Sequence, residues 1–437
     1  MPPKRPPSRP SLPHPLPPRL GVLSRMAAKP ARLVLGLMSG TSLDGLDLAL
    51  CRVRGAGEHT RLEVVNHATR PYTPAERAHL AQVVFQPTAP LEAVCQLNGW
   101  LARLHGRLVL EQLEAWGQDP RGVDLLASHG QTVFHRPGQT PEPPTTLQLG
   151  DGDLLAGLTG MLTVSDLRQK DIAAGGEGAP LAPFMDGLLF RHPGRGRLLL
   201  NLGGMANFTW LPPGPPGRGG WLSADTGPAN TWLDRAVRRY APHLPGGFDQ
   251  DGRLALAGRV QPGLLAALKE HPYFERPAPK STGPEAFGAR PLAEALNRVG
   301  VAGLAGADRA GDGLAGAGTA EDLPPLAGLS PEDLLATLAQ LTVDTASACI
   351  LREVGEALAG GELYLTGGGA HHPLLAQGLA RSLPMLTPAS FQDLGVPPDA
   401  KEAVLMAVLA HESLFGLGFF PAGQTQPWGF GKLSFPR

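Results

Sequence analysis

The sequence contains one local pattern twice, and this repeat limits the folds that the chain can adopt. Leu33–Met38 is an apolar run that leads into the turn-rich segment Ser39–Gly45 and then into alternating leucines. About 165 residues later, Arg197–Leu202 leads into Gly203-Gly204 and then into a second returning segment, Asn207–Leu211. Both places predict a strand, a glycine turn and a returning strand. The repeat therefore predicts two lobes, each opened by a β-hairpin, with a cleft between them.

Helices and further strands follow each predicted hairpin. The elements that the patterns indicate are a strand at Leu62–Ala68, a helix from the capping signature Thr73-Pro-Ala-Glu76 to about Phe85, a helix at Leu91–Trp116, a strand at Val123–Ser128 that ends at His129, a strand at Trp221–Ala224 that stops at Asp225, helices at Thr231–Tyr240 and from about Pro331 to Leu358, a strand at Glu362–Leu365 and a helix from Pro373. Strands that end in glycine-rich turns and feed helices are typical of α/β proteins. In such proteins ligands bind at the strand ends.

Glycine and proline are unusually frequent, with 57 and 46 residues in a chain of 437. Part of this excess lies in residues 1–30, which hold many prolines, several basic residues and no acid, so a disordered leader is expected there. A second methionine at Met26 leaves open that Met1–Arg25 is a mis-assigned start. A second low-complexity stretch at 303–329, rich in glycine and alanine, predicts a loop. We expect a first lobe at 31–135 plus about 395–437, and a second lobe at 136–394.

Charge and cysteine content narrow the class of partner. The formal net charge is −1, so no global field attracts nucleic acid or a membrane surface. Cys51, Cys95 and Cys349 are scattered and lack the spacing of a zinc site, which indicates a reducing cytoplasm. No continuous apolar run reaches the ~18 residues of a membrane span. A small-molecule ligand that is recognised locally is therefore expected.

The two commonest nucleotide motifs do not provide a phosphate site. No GxxxxGK[ST] string occurs, and the GxGxxG at Gly311–Gly316 lies in low-complexity sequence without a preceding strand. The turn Ser39–Asp47 offers another device, because its glycines allow backbone N–H groups to face a phosphate and Asp44 could hold a metal ion. An ordinary β-hairpin remains the alternative for this segment alone.

Two further segments complete a pattern with this turn. Asp225-Thr-Gly-Pro228 follows a strand, and Thr366-Gly-Gly-Gly369 lies between a strand and a helix. In this order the three segments resemble the two phosphate loops and the adenosine loop of the superfamily that contains sugar kinases, Hsp70 and actin. That resemblance implies two lobes of ribonuclease H-like fold with Mg-ATP in the central cleft.

Longer strings identify a family within that superfamily. In order along the chain they are GLMSGTSLDGLD at 36–47, SHGQT at 128–132, DLRQKDIAAGGEGAPL at 166–181, NLGG at 201–204, DTGPAN at 225–230, PKSTG at 279–283 and LTGGG at 365–369. Together they closely resemble the anhydro-N-acetylmuramic acid kinase family, from about residue 33 to about 416. The leader, the 303–329 stretch and the tail after Gly416 depart from the resemblance but lie outside these strings.

The resemblance implies a specific reaction in cell-wall recycling. Such a kinase opens the internal bridge of 1,6-anhydro-N-acetylmuramic acid with water and phosphorylates the freed 6-oxygen from ATP. By resemblance, Asp225 is the base that activates the water, and Glu402, at the head of the last helix, is the alternative. The residues assigned to ATP and its phosphates are Gly40, Thr41, Ser42, Leu43, Asp44, Gly45, Leu46, Asp47, Gly203, Gly204, Gly227, Gly367, Gly368 and Gly369. The cofactors expected are ATP and Mg, with Asp44 as the metal residue, acting through water.

Four further residues are expected to line the sugar site. Arg168 and Asp171 combine a cation, an acid and neighbouring glycines, which suits sugar hydroxyls or the lactyl carboxylate of muramic acid. A surface ion pair beside a helix is the alternative for that pair. His129 and Gln131 follow a buried-looking strand, where a structural role is the more common one.

Two other segments are weaker candidates. Lys280-Ser-Thr could contact sugar or phosphate, although a single loop lysine is usually solvated. His371-His372 lacks partner ligands, and we expect no metal site there.

Other functions are less consistent with the same sequence pattern. A chaperone or filament protein of the superfamily would need a further peptide-binding or polymerising domain, and a plain glycosidase would leave three loops without a role. A kinase for a different sugar is the closest alternative, because the ATP loops do not identify the acceptor. No nucleic-acid or membrane partner is expected, the location expected is cytoplasmic, and a homodimer is one assembly that the sequence leaves open.

Overall fold

Two mixed β-sheets with the same strand order organise the chain. The computed structural model describes residues 17–436, except 41–42, 85, 87, 137–142, 218–219, 279, 284–285, 301–322 and 417–428. The strands of the first sheet are β1 (Ala31–Ser39), β2 (Gly45–Arg54), β3 (Arg61–Pro71), β4 (Leu125–Arg136), β5 (Thr145–Leu149), β6 (Thr163–Ser165) and β12 (Lys432–Ser434). Those of the second are β7 (Arg197–Leu202), β8 (Met205–Leu211), β9 (Leu222–Pro228), β10 (Gly361–Thr366) and β11 (Leu386–Ala389).

The repeat in the sequence corresponds to a repeat in strand order. The first sheet runs β3-β2-β1-β4-β6, with β1 to β3 antiparallel and β4 and β6 parallel to β1. The second runs β9-β8-β7-β10-β11 with the same directions. The predicted α/β fold with two hairpin-led lobes of ribonuclease H-like topology is confirmed.

Helices flank both sheets and fill the space between them. They are α1 (Pro18–Ala28), α2 (Pro74–Ala81), α3 (Leu91–Ala115), α4 (Gly152–Thr159), α5 (Leu167–Ala173), α6 (Ala182–Leu189), α7 (Asn230–Tyr240), α8 (Arg253–Ala257), α9 (Pro262–Lys269), α10 (Ala289–Arg298), α11 (Pro331–Val354), α12 (Pro373–Ser382) and α13 (Lys401–Phe415). Thr73 and Glu76 form the predicted capping box at the start of α2. One apolar core lies in each lobe, and a third joins α6 and α13 between the sheets.

The stretch Pro331–Leu358 passes a length-and-composition test for crossing a membrane. Among the described residues this is the one helical stretch that does so. Most of it is buried against α7, α8, α9, α12 and the second sheet. It therefore serves here as the central core helix of the second lobe.

Two predictions on domain boundaries are wrong. Residues 18–28, expected in a disordered leader, form α1, because Met26 is buried in the core between the sheets and Arg32 donates hydrogen bonds to the carbonyls of Met26 and Ala27. Residues 1–16 lie outside the described part of the chain. The first sheet also extends past the expected boundary at 136, since β5 and β6 both pair with β4.

Strand ends also differ from the sequence pattern at two positions. β4 does not stop at Ser128 but continues through His129 and Gln131 to Arg136, and β9 does not stop at Asp225 but continues to Pro228. Gly130 and Gly227 have positive φ angles, so these strands bend rather than end. Of the Gly/Ala stretch, 303–322 lies outside the described residues, while Leu323 is buried and accepts a hydrogen bond from Arg239 through its carbonyl.

Candidate active site

The turn between β1 and β2 forms one edge of the cleft. Leu43 has a φ of 56° and its N–H donates to the carbonyl of Gly40, 3.4 Å away, while Thr41 and Ser42 lie outside the described residues. Asp44 is exposed, which fits a metal-binding role. Leu46, by contrast, is fully buried in the core behind the turn, so its side chain does not face the cleft.

A buried polar chain supports this turn from behind. Gln131 accepts a hydrogen bond from the hydroxyl of Ser39 at 2.6 Å and donates to the carbonyl of Gly40 at 3.2 Å. The hydroxyl of Tyr72 joins Ser39 to Nε2 of His105, over 2.9 and 2.8 Å. Burial lowers the pKa of His105 to about 3, so the ring is neutral. Gln131 is fully buried, and these contacts favour a supporting role over the predicted sugar contact.

Carboxylates gather beside the same turn. Asp47 accepts a hydrogen bond from Thr69 at 2.5 Å. Burial raises the pKa of Asp47, the Thr69 bond opposes that shift, and the charges of Asp44 and Asp399 add to it. Carboxylate oxygens are the protein ligands that Mg²⁺ prefers, so Asp44 and Asp47 are the residues of this turn that could hold such an ion.

The second lobe presents two glycine turns to the cleft. The carbonyl of Gly204 accepts hydrogen bonds from the N–H groups of Ala229 and Thr231, which fixes the start of α7 against the β7–β8 turn. Gly367 has a φ of 78°, and a Cβ there would lie 2.7 Å from Oδ1 of Asn201, so this position requires glycine. A cavity of about 450 Å³ lies beside Gly367 and is lined in part by Ala370.

Asp225 lies on β9 opposite Asn207, close to the β7–β8 turn. Its Oδ2 accepts hydrogen bonds from the backbone N–H of Thr282 at 2.8 Å and from the hydroxyl of Ser281 at 3.2 Å. Hydrogen bonds to a carboxylate favour its ionised form. The two donors also fix the orientation of the Asp225 carboxylate.

Glu402 lies in the first turn of α13, near the first-lobe carboxylates. The residue is exposed at the surface, yet many protein atoms surround its carboxyl group. That enclosure raises the pKa of Glu402, the charge of Asp47 raises it further, and Arg168 and Lys401 oppose the shift. Glu402 therefore holds a proton more readily than an ordinary glutamate.

Lys401 fixes the head of α13 to the neighbouring helix. Its Nζ lies 3.3 Å from Oδ1 of Asp186 on α6 and 5.3 Å from the centre of the Phe391 ring. Asp186 is buried, which raises its pKa, while Lys401 and Thr209 oppose that shift. This ion pair joins two helices of the core between the sheets and gave no recognisable signal in the sequence.

The segment around α5 brings three of the predicted sugar residues together. Arg168 donates from Nε to Nε2 of His129 at 2.8 Å and from its NH1 group to the carbonyl of Gly178 at 2.7 Å. Burial, followed by the charge of Arg168, lowers the pKa of His129 to about 3, so its ring is a neutral acceptor. Asp171 accepts from the N–H of Gly178 at 2.7 Å. The surface ion pair is excluded for Asp171, which is buried.

The two weaker candidates have clear places in the structure. Lys280 is not solvated but only 6% exposed, and its ammonium group faces backbone carbonyls. His372 is buried 4.0 Å from Asp249, and His371 is exposed. Within the described part of the chain, no group of three or more His, Cys, Asp or Glu side chains forms a metal cluster.

Comparisons with known proteins agree on one family. Residues 32–425 match the family model described as anhydro-N-acetylmuramic acid kinase. A protein of that name from Pseudoalteromonas atlantica is 41% identical over 95% of this chain and 98% of its own length. Another from Streptomyces coelicolor is 38% identical over 89% and 90%.

Less similar proteins include a further relative of the same name and a solved structure. A third protein of that name, from Caldanaerobacter subterraneus, is 32% identical over 94% of this chain and 99% of its own length. Among solved structures, the activator of the 2-hydroxyisocaproyl-CoA dehydratase from Clostridium difficile with bound ADPNP aligns at a TM-score of 0.41 and 11% identity, covering 88% of this chain and 96% of that one. The chain belongs to the anhydro-N-acetylmuramic acid kinase family.

Proposed function

We propose that this kinase opens 1,6-anhydro-N-acetylmuramic acid with water and transfers the γ-phosphoryl group of ATP to the freed 6-oxygen. The product is N-acetylmuramic acid 6-phosphate, and the reaction belongs to the recycling of peptidoglycan in the cytoplasm. The family supports the kinase activity. The coupling of ring opening to phosphoryl transfer is the part of the proposal that must be explained by the residues of the site.

The reaction needs a base for water but none for the sugar oxygen. Water attacks C1 and gives up a proton, the bond between C1 and the bridging oxygen breaks, and that oxygen forms the new bond to phosphorus while ADP leaves. The freed oxygen is already an anion or nearly so, which makes it the nucleophile without separate deprotonation. One carboxylate base on the C1 side is therefore sufficient.

The proposal rests mainly on the hydrogen bonds that the Asp225 carboxylate accepts. Two donors, from Ser281 and Thr282, reach the same carboxylate oxygen and favour its charged state. A base must be ionised before it can take a proton from water. We therefore assign the general base to Asp225 and keep Glu402, whose pKa is raised, as a second acid group of the cleft.

The glycine turns suit the nucleotide. We assign the phosphates to the turn at Gly40–Asp47 and to the turn at Gly203-Gly204, with Gly227 beside them. Gly367, which lines the 450 Å³ cavity, and the following Gly368 and Gly369 suit the adenosine part. Asp44 would hold Mg²⁺ through water, and the ion would neutralise the charge of the phosphates when bound.

We assign the sugar to the segment around α5, where Arg168, Asp171 and His129 lie together. The guanidinium of Arg168 is charged at neutral pH, since burial lowers its pKa only to about 10. It can therefore attract the lactyl carboxylate that distinguishes muramic acid from other amino sugars. Asp171 positions the glycine segment around it through Gly178.

The test is a product analysis with matched acceptors. The protein is incubated with Mg-ATP and 1,6-anhydro-N-acetylmuramic acid, and ADP and sugar phosphate are quantified together. We expect one ADP per molecule of reducing sugar 6-phosphate, and no turnover with 1,6-anhydro-N-acetylglucosamine, which keeps the internal bridge but lacks the lactyl group. Phosphate on an unopened ring, ADP release without sugar product, or efficient use of another sugar would contradict the proposal.

A further inference from the structure

The segment Lys280–Thr282, here called the KST segment, lies along β9 at Asp225. The N–H of Asp225 donates to the carbonyl of Lys280 at 3.0 Å, in addition to the two hydrogen bonds that the Asp225 carboxylate accepts from Ser281 and Thr282. Backbone and side chain of Asp225 are thus both attached to three consecutive residues. The orientation of the carboxylate depends on where this segment lies.

Lys280 holds the segment from its other side. Its Nζ donates to the carbonyl of Tyr273 at 3.1 Å and to that of Phe274 at 3.4 Å. The same ammonium lies 4.5 Å from the centre of the Tyr273 ring. The hydroxyl of Tyr273 in turn donates to the carbonyl of Asp225 at 3.0 Å. The contacts form a closed ring that passes from Asp225 through Lys280 to Tyr273 and back to Asp225.

The energetics of Lys280 explain why such a ring is rigid. An ammonium group that is 6% exposed has lost most of its hydration, and this burial lowers its pKa. Two carbonyl acceptors and the face of an aromatic ring compensate for the lost water. A shift of the segment would leave the charge uncompensated, so Lys280 strongly disfavours other positions of the segment.

We propose that the KST segment positions Asp225 for catalysis. Ser281 and Thr282 orient the Asp225 carboxylate and keep it ionised, and Lys280 fixes the position of the segment. This inference rests on the proposed role of Asp225 as the base. It assigns no contact with sugar or phosphate to the ammonium of Lys280, in contrast to what a lysine in a loop near a nucleotide would suggest. Lys280 and Ser281 are positioning residues in this scheme.

Ser281→Ala gives the more specific test, because it removes one donor and no charge. A carboxylate with fewer hydrogen bonds takes up a proton more readily, so the acidic limb of the pH profile of kcat/KM moves to higher pH, by about 0.5 pH unit. Ser281→Thr keeps the hydroxyl and restores the wild-type profile. Ser330→Ala, which removes the N-cap hydroxyl of α11 far from Asp225, is the matched control and leaves the profile unchanged.

Lys280→Met tests the lock itself. The side chain keeps its length but loses both hydrogen bonds to the carbonyls of Tyr273 and Phe274, so the segment is free to shift. We expect kcat to fall by about 100-fold while KM for ATP and for sugar stays within a few-fold, because misplacement of the base affects the chemical step. Circular dichroism and a melting curve establish that the variant is folded. If it is not, the Ser281 variants decide.

The outcomes separate this inference from the proposed function. If Asp225→Asn keeps full turnover, the base has been assigned wrongly and the proposed function fails at that point. If Asp225→Asn is inactive but Ser281→Ala shows the wild-type pH profile and kcat, the positioning role is overturned and the base assignment stands. A rise in KM for ATP with unchanged kcat in Lys280→Met would also overturn it, because that pattern indicates direct binding of the nucleotide.

Discussion

The two candidate catalytic carboxylates lie in opposite kinds of environment. Asp225, on β9 of the second lobe, is held by hydrogen-bond donors from Ser281 and Thr282. Glu402, at the head of α13, is enclosed by protein and lies near the carboxylate of Asp47, and both effects raise its pKa. The sequence pattern alone ranks the two by resemblance. The structure adds a physical reason, because donors favour the charged form and a neighbouring negative charge favours the protonated form.

The difference shows how the surroundings of a carboxyl group change its affinity for a proton. Two carboxyl groups with the same intrinsic chemistry differ in how readily they bind a proton when one accepts hydrogen bonds and the other is enclosed by protein atoms near a negative charge. In the proposed reaction Asp225 accepts the proton of water. Desolvation and the charge of Asp47 raise the pKa of Glu402, while Arg168 and Lys401 oppose that shift.

Among the substitutions, Asp225→Asn should have the largest effect and tests the contrast between Asp225 and Glu402 directly. The amide cannot accept a proton, so we expect kcat to fall by about 10³-fold or more. ATP affinity, measured by calorimetry, should stay within a few-fold, because the turn at Ser39–Gly45 and the glycine turns of the second lobe are intact. If instead ATP affinity is lost, Asp225 acts on the nucleotide and the contrast with Glu402 has been drawn wrongly.

Asp186→Ala tests whether the ion pair between Lys401 and Asp186 stabilises the start of α13, where Glu402 lies. Removing the buried partner leaves the ammonium of Lys401 uncompensated, so the free energy of unfolding by urea should fall by about 3 kcal/mol. Glu294→Gln, in an exposed i,i+4 pair with Arg290, is the matched control and should cost about 0.5 kcal/mol or less. An equally small loss in Asp186→Ala would indicate that the ion pair between Lys401 and Asp186 does not fix the start of α13.

His129, the partner of Arg168 beside Glu402, gives a pH-dependent prediction. Its pKa is lowered from 6.5 to about 3, so between these pH values the unfolded chain binds a proton that the folded chain does not. Stability therefore falls as pH decreases through this window, by about 2 kcal/mol from pH 7 to pH 5 for this histidine.

The measurement compares urea unfolding of wild type and His129→Gln at both pH values. The variant should lose about 2 kcal/mol less on acidification than wild type does. His67→Gln, at an exposed position, is the control and should follow wild type. Identical pH dependence in all three proteins would show that the fold does not lower the pKa of His129, contrary to its burial and its hydrogen bond from Arg168.

Glu402→Gln should have a smaller effect than Asp225→Asn, Asp186→Ala or His129→Gln. The amide keeps the shape and hydrogen-bonding capacity of a protonated carboxyl, so kcat should fall by about 10-fold or less. Steady-state kinetics at pH 7 and pH 8, alongside Asp225→Asn, make the measurement. A loss as large as that of Asp225→Asn would reverse the assignment and make Glu402 the base.

Much of the architecture could be predicted because its signals are local. Glycine turns after apolar runs mark the hairpins at residues 39–45 and 203–204, and the capping box at Thr73 and Glu76 lies within four residues. These features need no knowledge of distant parts of the chain. The repeat of this local pattern then predicts two lobes that each begin with a hairpin.

Other features could not be predicted, because they depend on contacts between distant residues. Arg168 and His129 are 39 residues apart, and Lys401 and Asp186 are 215 apart. Gly130 looks like a turn residue, yet the strand continues through it because β5 pairs alongside. Lys280 looks like a solvated lysine until the carbonyls of Tyr273 and Phe274 are known to face it.

The origin of the product oxygen tests the proposed reaction most directly. The protein is incubated with Mg-ATP and 1,6-anhydro-N-acetylmuramic acid in ¹⁸O-labelled water, under conditions in which exchange at C1 is slow relative to turnover, and the product is fragmented in a mass spectrometer. We predict one ¹⁸O atom at C1 and none in the 6-phosphate. Label in the phosphate group, or an unlabelled C1 oxygen, would contradict attack of water on C1 coupled to transfer of phosphate to O6.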